Sequence, residues 1–213
     1  MNIDLPERFK YGTSAFLEDG ILKVRSDVKI RELITKITLA RKGTRCWYCK
    51  KILCKDEITM DHLYPKDLGG PTIPNNLAPA CSECNVKKGC FTELQFRQLI
   101  KAPASKQKQI RNRFIQRNEQ YKAERGFFLP RQWITKRKID NILVTFVMSE
   151  CYRGRRYDKI EAFYEKYEKL PYPIVVDRNN YLIDGFLVLM FAKNHDIKTV
   201  PTIVLDNFEI IFQ

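Results

Sequence analysis

Two cysteine pairs, Cys46/Cys49 and Cys81/Cys84, stand in Cys-x-x-Cys spacing, and between them an aspartate and a histidine lie side by side, Asp61 and His62. Four thiolates arranged as two such pairs suit one tetrahedral Zn²⁺. The segment between the pairs carries a different kit, a carboxylate, an imidazole and the carboxamide of Asn76, and Asn85 follows directly after the second pair. Groups of this kind hold a hard divalent ion and activate water. A neutral imidazole near its unperturbed pKa can take a proton from water at neutral pH. A purely structural zinc site has no use for that second set.

The elements that must position these groups are read from a chain of 213 residues, long enough for one large domain or two small ones. With 44% hydrophobic and 12% aromatic residues it can build a packed core. Lys and Arg outnumber Asp and Glu by 38 to 25, a net charge of +13. Such an excess favours a polyanionic partner, because neutralising phosphates releases condensed counterions. The first residues, MNIDLPERFKYG, lack the apolar centre of a signal peptide, and no run approaches the ~18 apolar residues of a membrane span. A reducing, cytoplasmic setting is therefore expected, with no membrane partner. Metal binding then outcompetes disulfides, and the remaining Cys54, Cys90 and Cys151 are expected to be ordinary buried thiols.

Composition divides the chain into four parts. Residues 1–26 read as an N-terminal arm or short hairpin. In residues 27–42, Ile30, Leu33, Ile34, Ile37 and Leu39 recur near helical spacing, with Ser26 or Asp27 as cap and Gly43 as stop. That helix feeds the first cysteine pair, and residues 27–100 form the module that carries the chemistry. Within it, residues 51–61 predict a β-hairpin, and Thr92 opens a helix that ends before Pro103. Residues 101–138 hold twelve Lys or Arg against two Glu, with a helix predicted over 105–125 on a thin seam of Ile110, Phe114 and Tyr121. Such a basic helix is a connector or a phosphate-tracking element, and Lys106, Lys108, Arg111 and Arg113 are its candidate phosphate contacts. Residues 139–213 alternate strands with helices, the pattern of a small α/β domain.

Residues 46–89 resemble the HNH endonuclease family, the ββα-metal nucleases, in its four-cysteine zinc form. The matching pieces are Cys46-Trp-Tyr-Cys49, Asp61-His62-Leu63-Tyr64-Pro65, Gly69-Gly70, Asn76-Leu77, Cys81-Ser-Glu-Cys84-Asn85 and Lys88-Gly89. The resemblance implies a metal-dependent nuclease acting on DNA. It implies that His62 is the general base, and that Asp61 and Asn85 hold a catalytic Mg²⁺ or Mn²⁺. It also implies that Asn76 restrains the loop that orients the imidazole, and that Cys46, Cys49, Cys81 and Cys84 hold a structural Zn²⁺. The family's last position is Asn here rather than His, which favours an oxygen-ligated hard ion. Lys87 and Lys88 are further candidate phosphate contacts. Two other readings use the same residues: a zinc-stabilised nucleic-acid-binding adaptor without nuclease activity, and an RNA-directed nuclease.

Residues 170–205 resemble the ParB/sulfiredoxin-like fold, with a strand ending in Asp184-Gly185, a helix, and a strand introduced by Val200-Pro201. Where that family places its phosphate-binding or Cys-x-Arg element, this chain has Phe186-Leu187-Val188. The resemblance thus implies the fold and not nucleotide or sulfinic-acid chemistry. The apolar helix there is expected to pack on Ile174, Val176, Ile183 and Ile203, and an apolar face this broad could also close a homodimer. The expected fold class is α+β: a zinc-bound ββα-metal HNH module, a basic helical connector and a small ParB-like α/β domain.

Overall fold

A computed structural model describes residues 1–3, 15–25, 29–144 and 154–211. The expected caps Ser26 and Asp27, and Cys151, lie outside these residues. The chain opens with a hairpin, β1 (Ala15–Glu18) and β2 (Ile21–Arg25). Helix α1 (Ile30–Lys42) buries Leu33, Ile34, Ile37 and Thr38, an i, i+1, i+4, i+5 stripe, and ends at Gly43, whose N–H reaches Leu39 O at 2.8 Å. The hairpin expected from the sequence over residues 51–61, which include most of strand β3 (Thr59–His62), does not form. Those residues run through a 3₁₀ turn at Lys55–Glu57, and β3 pairs antiparallel with β4 (Leu77–Ala80) instead. Helix α2 (Ser82–Lys88) completes a β-β-α unit.

Helix α3 (Glu93–Lys101) starts on a capping box, in which Thr92 Oγ1 accepts from Gln95 N and Gln95 Oε1 accepts from Thr92 N. Helix α4 (Ala104–Arg125) lies against α3 through Phe114 and a buried Gln95–Asn118 hydrogen bond of 2.8 Å. Strand β5 (Thr135–Lys138), helix α5 (Arg155–Tyr167), strands β6 (Ile174–Asp177) and β7 (Leu182–Asp184), helix α6 (Phe186–Asn194), and strands β8 (Thr199–Leu205) and β9 (Phe208–Ile211) follow.

Among the described residues the strands form three sheets, β1-β2-β9, β3-β4 and the mixed β5-β8-β6-β7. The fold class is α+β. Strand alternation divides the core around the four-stranded sheet. Ile174, Val176 and Val200 face α6 and α5, where Val188, Leu189, Met190 and Phe191 are buried. Val175, Ile203 and Leu205 turn to the other face and pack with α1, Ile73 and the β2–β9 strands. Ile203 and Ile183 therefore do not meet α6 as expected, because register sends them to the opposite face. A third cluster, of Tyr48, Phe91, Phe96, Leu99 and Phe114, underlies the cysteine pairs. The N-terminal hairpin is tied into the end of the chain, since β2 runs parallel to β9 with Leu22 opposite Phe208. No described helix is long and apolar enough to cross a membrane. Cys54 and Cys90 are exposed rather than buried.

Candidate metal and catalytic centre

The four sulfurs of Cys46, Cys49, Cys81 and Cys84 lie within 4.8 Å of one another, and Cys49 Sγ and Cys81 Sγ are 3.9 Å apart. Tetrahedral ligation with Zn–S near 2.3 Å requires sulfurs separated by about 3.8 Å, so the donor set fits a zinc ion. Cys46 is fully buried. Burial acts to raise its thiol, but N–H groups of Cys81, Cys49 and Tyr48 donate to the sulfur and bring it down to about 6. The first knuckle is docked on β4 by Trp47 N to Pro79 O (2.8 Å), and on α3 by Trp47 Nε1 to Glu93 Oε1 (2.7 Å).

Strand β3 ends on the Asp61-His62 pair; strand alternation sends the two side chains to opposite faces, and both residues border the cleft at the strand's end. Asp61 is buried; its Oδ2 accepts from Tyr48 OH at 2.5 Å and its Oδ1 from Lys88 Nζ at 3.0 Å. Lys88 is fully buried, and its ammonium also donates to His62 O at 2.8 Å. Burial pulls its pKa below the ordinary lysine value, with Asp61 opposing. The structure thus places Lys88 inside the module as a brace between α2 and the end of β3, away from any phosphate. Lys87 is exposed and paired with Glu83 at 2.6 Å. Removing the Lys88 charge leaves a carboxylate buried without its partner, a change that typically costs about 3–5 kcal/mol. Lys88→Met should lose stability on that scale in urea unfolding, whereas a surface lysine contact would leave the midpoint unmoved.

His62 is half-buried, and its Nε2 lies 3.2 Å from Thr72 Oγ1. Burial first, then the positive charge of Lys66, lowers its pKa to about 4, against the opposing Asp184. The ring is therefore neutral at neutral pH. Asn85 donates through Nδ2 to Thr59 Oγ1 at 3.0 Å, which leaves its carbonyl oxygen as a hard donor. Asp61, His62 and Asn85 line one cleft of about 310 Å³ with Met60, Lys66 and Cys90. Each Asp61 oxygen keeps a second lone-pair direction beyond its protein partner. A carboxylate and a carboxamide in one cleft fit a Mg²⁺-like ion held with several of its waters.

Asn76 is fully buried and spans the loop of residues 63–76. Its Oδ1 accepts from Tyr64 N (2.9 Å), while Nδ2 donates to Tyr64 O (3.0 Å) and Pro71 O (2.9 Å). The loop closes so tightly that a Cβ on Gly70 would lie 1.6 Å from Tyr64 O, so no side chain is admitted there. The basic helix borders the same region. Phe91, directly after the cleft residue Cys90, packs on Phe114, and the Arg111 guanidinium lies 5.0 Å over its ring. Lys106, Lys108, Arg111 and Arg113 are all exposed. Sequence reasoning did not find Tyr48, Lys66, Thr72 or Asp184. Lys66 falls within one turn of His62 in sequence, but the other three are united with the site only by the fold.

The HNH endonuclease family profile matches residues 46–100. Uncharacterized protein ORF326b of Acidianus two-tailed virus is 45% identical over 47 residues, which is 22% of this chain and 14% of that protein's length. A solved structure, the C2221 form of a Pnob8-like ParB-N domain, is similar over 33% of this chain and 28% of that one, with 20% identity and a TM-score of 0.28. That likeness is too slight to establish a shared fold.

Proposed function

We propose, from the HNH endonuclease family domain at residues 46–100, that this chain is a metal-dependent endonuclease that hydrolyses phosphodiester bonds in DNA. The observation that carries the reading is the convergence of Asp61, His62 and Asn85 on one cleft, with the imidazole neutral and hydrogen-bonded. His62 accepts the proton of the attacking water. Asp61 and Asn85 hold Mg²⁺ or Mn²⁺, which when bound neutralises charge at the scissile phosphate and stabilises the leaving 3′-oxygen. Lys66, exposed at the cleft wall, adds positive charge where the phosphate enters. Asn76 keeps the loop beside the imidazole closed, and a structural Zn²⁺ on Cys46, Cys49, Cys81 and Cys84 ties the first knuckle to α2.

Supercoiled plasmid should be nicked or linearised by the protein only when Mg²⁺ or Mn²⁺ is supplied, and an RNA of similar length should survive. Degraded RNA beside intact plasmid would reassign the substrate, and plasmid left intact with both ions would remove the nuclease reading.

The basic helix supplies much of the sequence-independent affinity. Replacing Lys106, Lys108, Arg111 and Arg113 with Gln should shrink the slope of log Kobs against log salt by about 3.6, at about 0.9 per phosphate contact. Fluorescence anisotropy on a short duplex measures this, and an unchanged slope would make α4 a connector only.

A further inference from the structure

We propose that Asp184 is a positioning residue for His62, acting through Thr72, so that the C-terminal sheet sets the orientation of the base in the nuclease domain. This rests on the assignment of His62 made above. Asp184 ends β7, far along the chain from the family domain, and belongs to an Asp-Gly pair for which the proposed chemistry has no other use. Its Oδ2 accepts from the backbone N–H of Thr72 at 3.4 Å, and Thr72 Oγ1 stands 3.2 Å from His62 Nε2. The other carboxylate oxygen accepts from Gly185 N at 2.9 Å, which fixes the carboxylate from its own side. Gly185 has φ +94°, and a Cβ there would lie 2.8 Å from Ile174 Cα, so the turn that carries Asp184 is pressed against β6.

The need for this contact follows from where the Asn76 clamp stops. Asn76 secures Tyr64 and Pro71 but makes no bond to Thr72, the residue that touches the imidazole. Thr72 is held from the opposite side, by a carboxylate of another sheet. A β-branched side chain has few χ1 choices, so holding the Thr72 backbone narrows the directions its hydroxyl can take. The hydroxyl, able to donate to Nε2 or to accept from it, in turn holds that edge of the imidazole toward Thr72 and so sets the orientation of the ring. The Asp184 carboxylate also acts electrostatically on the ring, opposing Lys66, Lys88 and Arg31.

The test uses the full chain and four variants: Thr72→Val, Thr72→Ser, Asp184→Ala and the Thr72→Val/Asp184→Ala double. The chain has two histidines, so the ¹⁵N signals of the His62 ring are assigned by comparison with His195→Gln. The ring signals should shift away from the wild-type pattern in Thr72→Val and Asp184→Ala and return toward it in Thr72→Ser. On plasmid, kcat should fall about 10-fold in each single variant, the lower end of the range for groups that orient a reacting residue at one remove. KM should stay in place, and the double variant should be no slower than either single, because both changes break one chain of contacts. Ring signals unchanged by Asp184→Ala, or losses that add, would overturn the proposal. The ring signals need no turnover, so they judge it even if the wild type cleaves nothing. Should Asp184→Ala not fold, Asp184→Asn replaces it: one oxygen shared between Gly185 and Thr72 should shift the ring signals part of the way, and signals identical to wild type would again overturn the proposal.

Discussion

His62→Ala should cleave plasmid roughly 10²–10⁴-fold more slowly than the wild type, the range lost with a general base, while binding DNA with the same affinity. The two halves of that expectation have separate causes. The rate falls because the imidazole is the group on the cleft wall that is neutral at neutral pH and able to take a proton. Asp61 does not replace it, because both of its carboxylate oxygens already have protein partners, Lys88 Nζ and Tyr48 OH. Affinity is kept because a neutral, half-buried ring adds no charge toward phosphate, whereas the exposed cations of α4 and Lys66 do. His195, the second histidine, stacks on Phe191 at the end of α6 with ring centroids 3.9 Å apart and belongs to a different surface. Cleavage rates and gel shifts on one protein preparation check both halves. Near-wild-type cleavage by the variant would sink the assignment.

Cys81→Ser should lose zinc and cooperative folding together. The four sulfurs join the first knuckle to the N-terminus of α2, where Cys81 O accepts the helical bond from Asn85 N at 3.0 Å. The cluster beneath them is small and includes Cys46 itself and the side of Tyr48 that also holds Asp61. Zinc binding contributes about 10–16 kcal/mol in isolated zinc modules, as much as the whole stability of a typical domain. No packing within this cluster offsets a loss of that size. Elemental analysis should give one zinc per wild-type chain and none in the variant, whose near-ultraviolet circular dichroism should lose its sharp thermal transition. Active protein purified without zinc would contradict this.

The residues that announce themselves do so because their chemistry depends on local spacing. Two Cys-x-x-Cys pairs can be read along the chain, as can Asp61-His62, the Thr92 cap and the apolar run that becomes α6. What the sequence hid are contacts between segments that it keeps apart. Leu77-Ala78-Pro79-Ala80 contains a proline and gives no strand signal, yet it is the partner of β3, tolerated because Pro79 lies in a two-stranded ladder, where its carbonyl still accepts from Trp47 N. Lys88 carries a residue type that belongs on the surface and is buried only because Asp61 and the His62 carbonyl meet its ammonium. Thr72 gave no signal, and Asp184 stood out only as the end of a strand, because nothing in the sequence joins a loop threonine to a distant aspartate until the sheet brings them together.

The parallel pairing of β2 with β9 sets an order on synthesis. The zinc ligands and the β3–β4–α2 unit are complete once the chain has passed Lys88, so metal can be captured while more than half of the protein is still to be made. Leu22 must wait for Phe208 before its strand has a parallel neighbour. At 5–20 residues per second that wait lasts about 10–40 s. Throughout it, the apolar side chains of Leu22 and Val24 lack the cover of Phe208 and Ile210. The four cysteines that could hold a metal ion are therefore made well before β7, and a chain stopped short of β7 would lack the Asp184 carboxylate that meets Thr72 N.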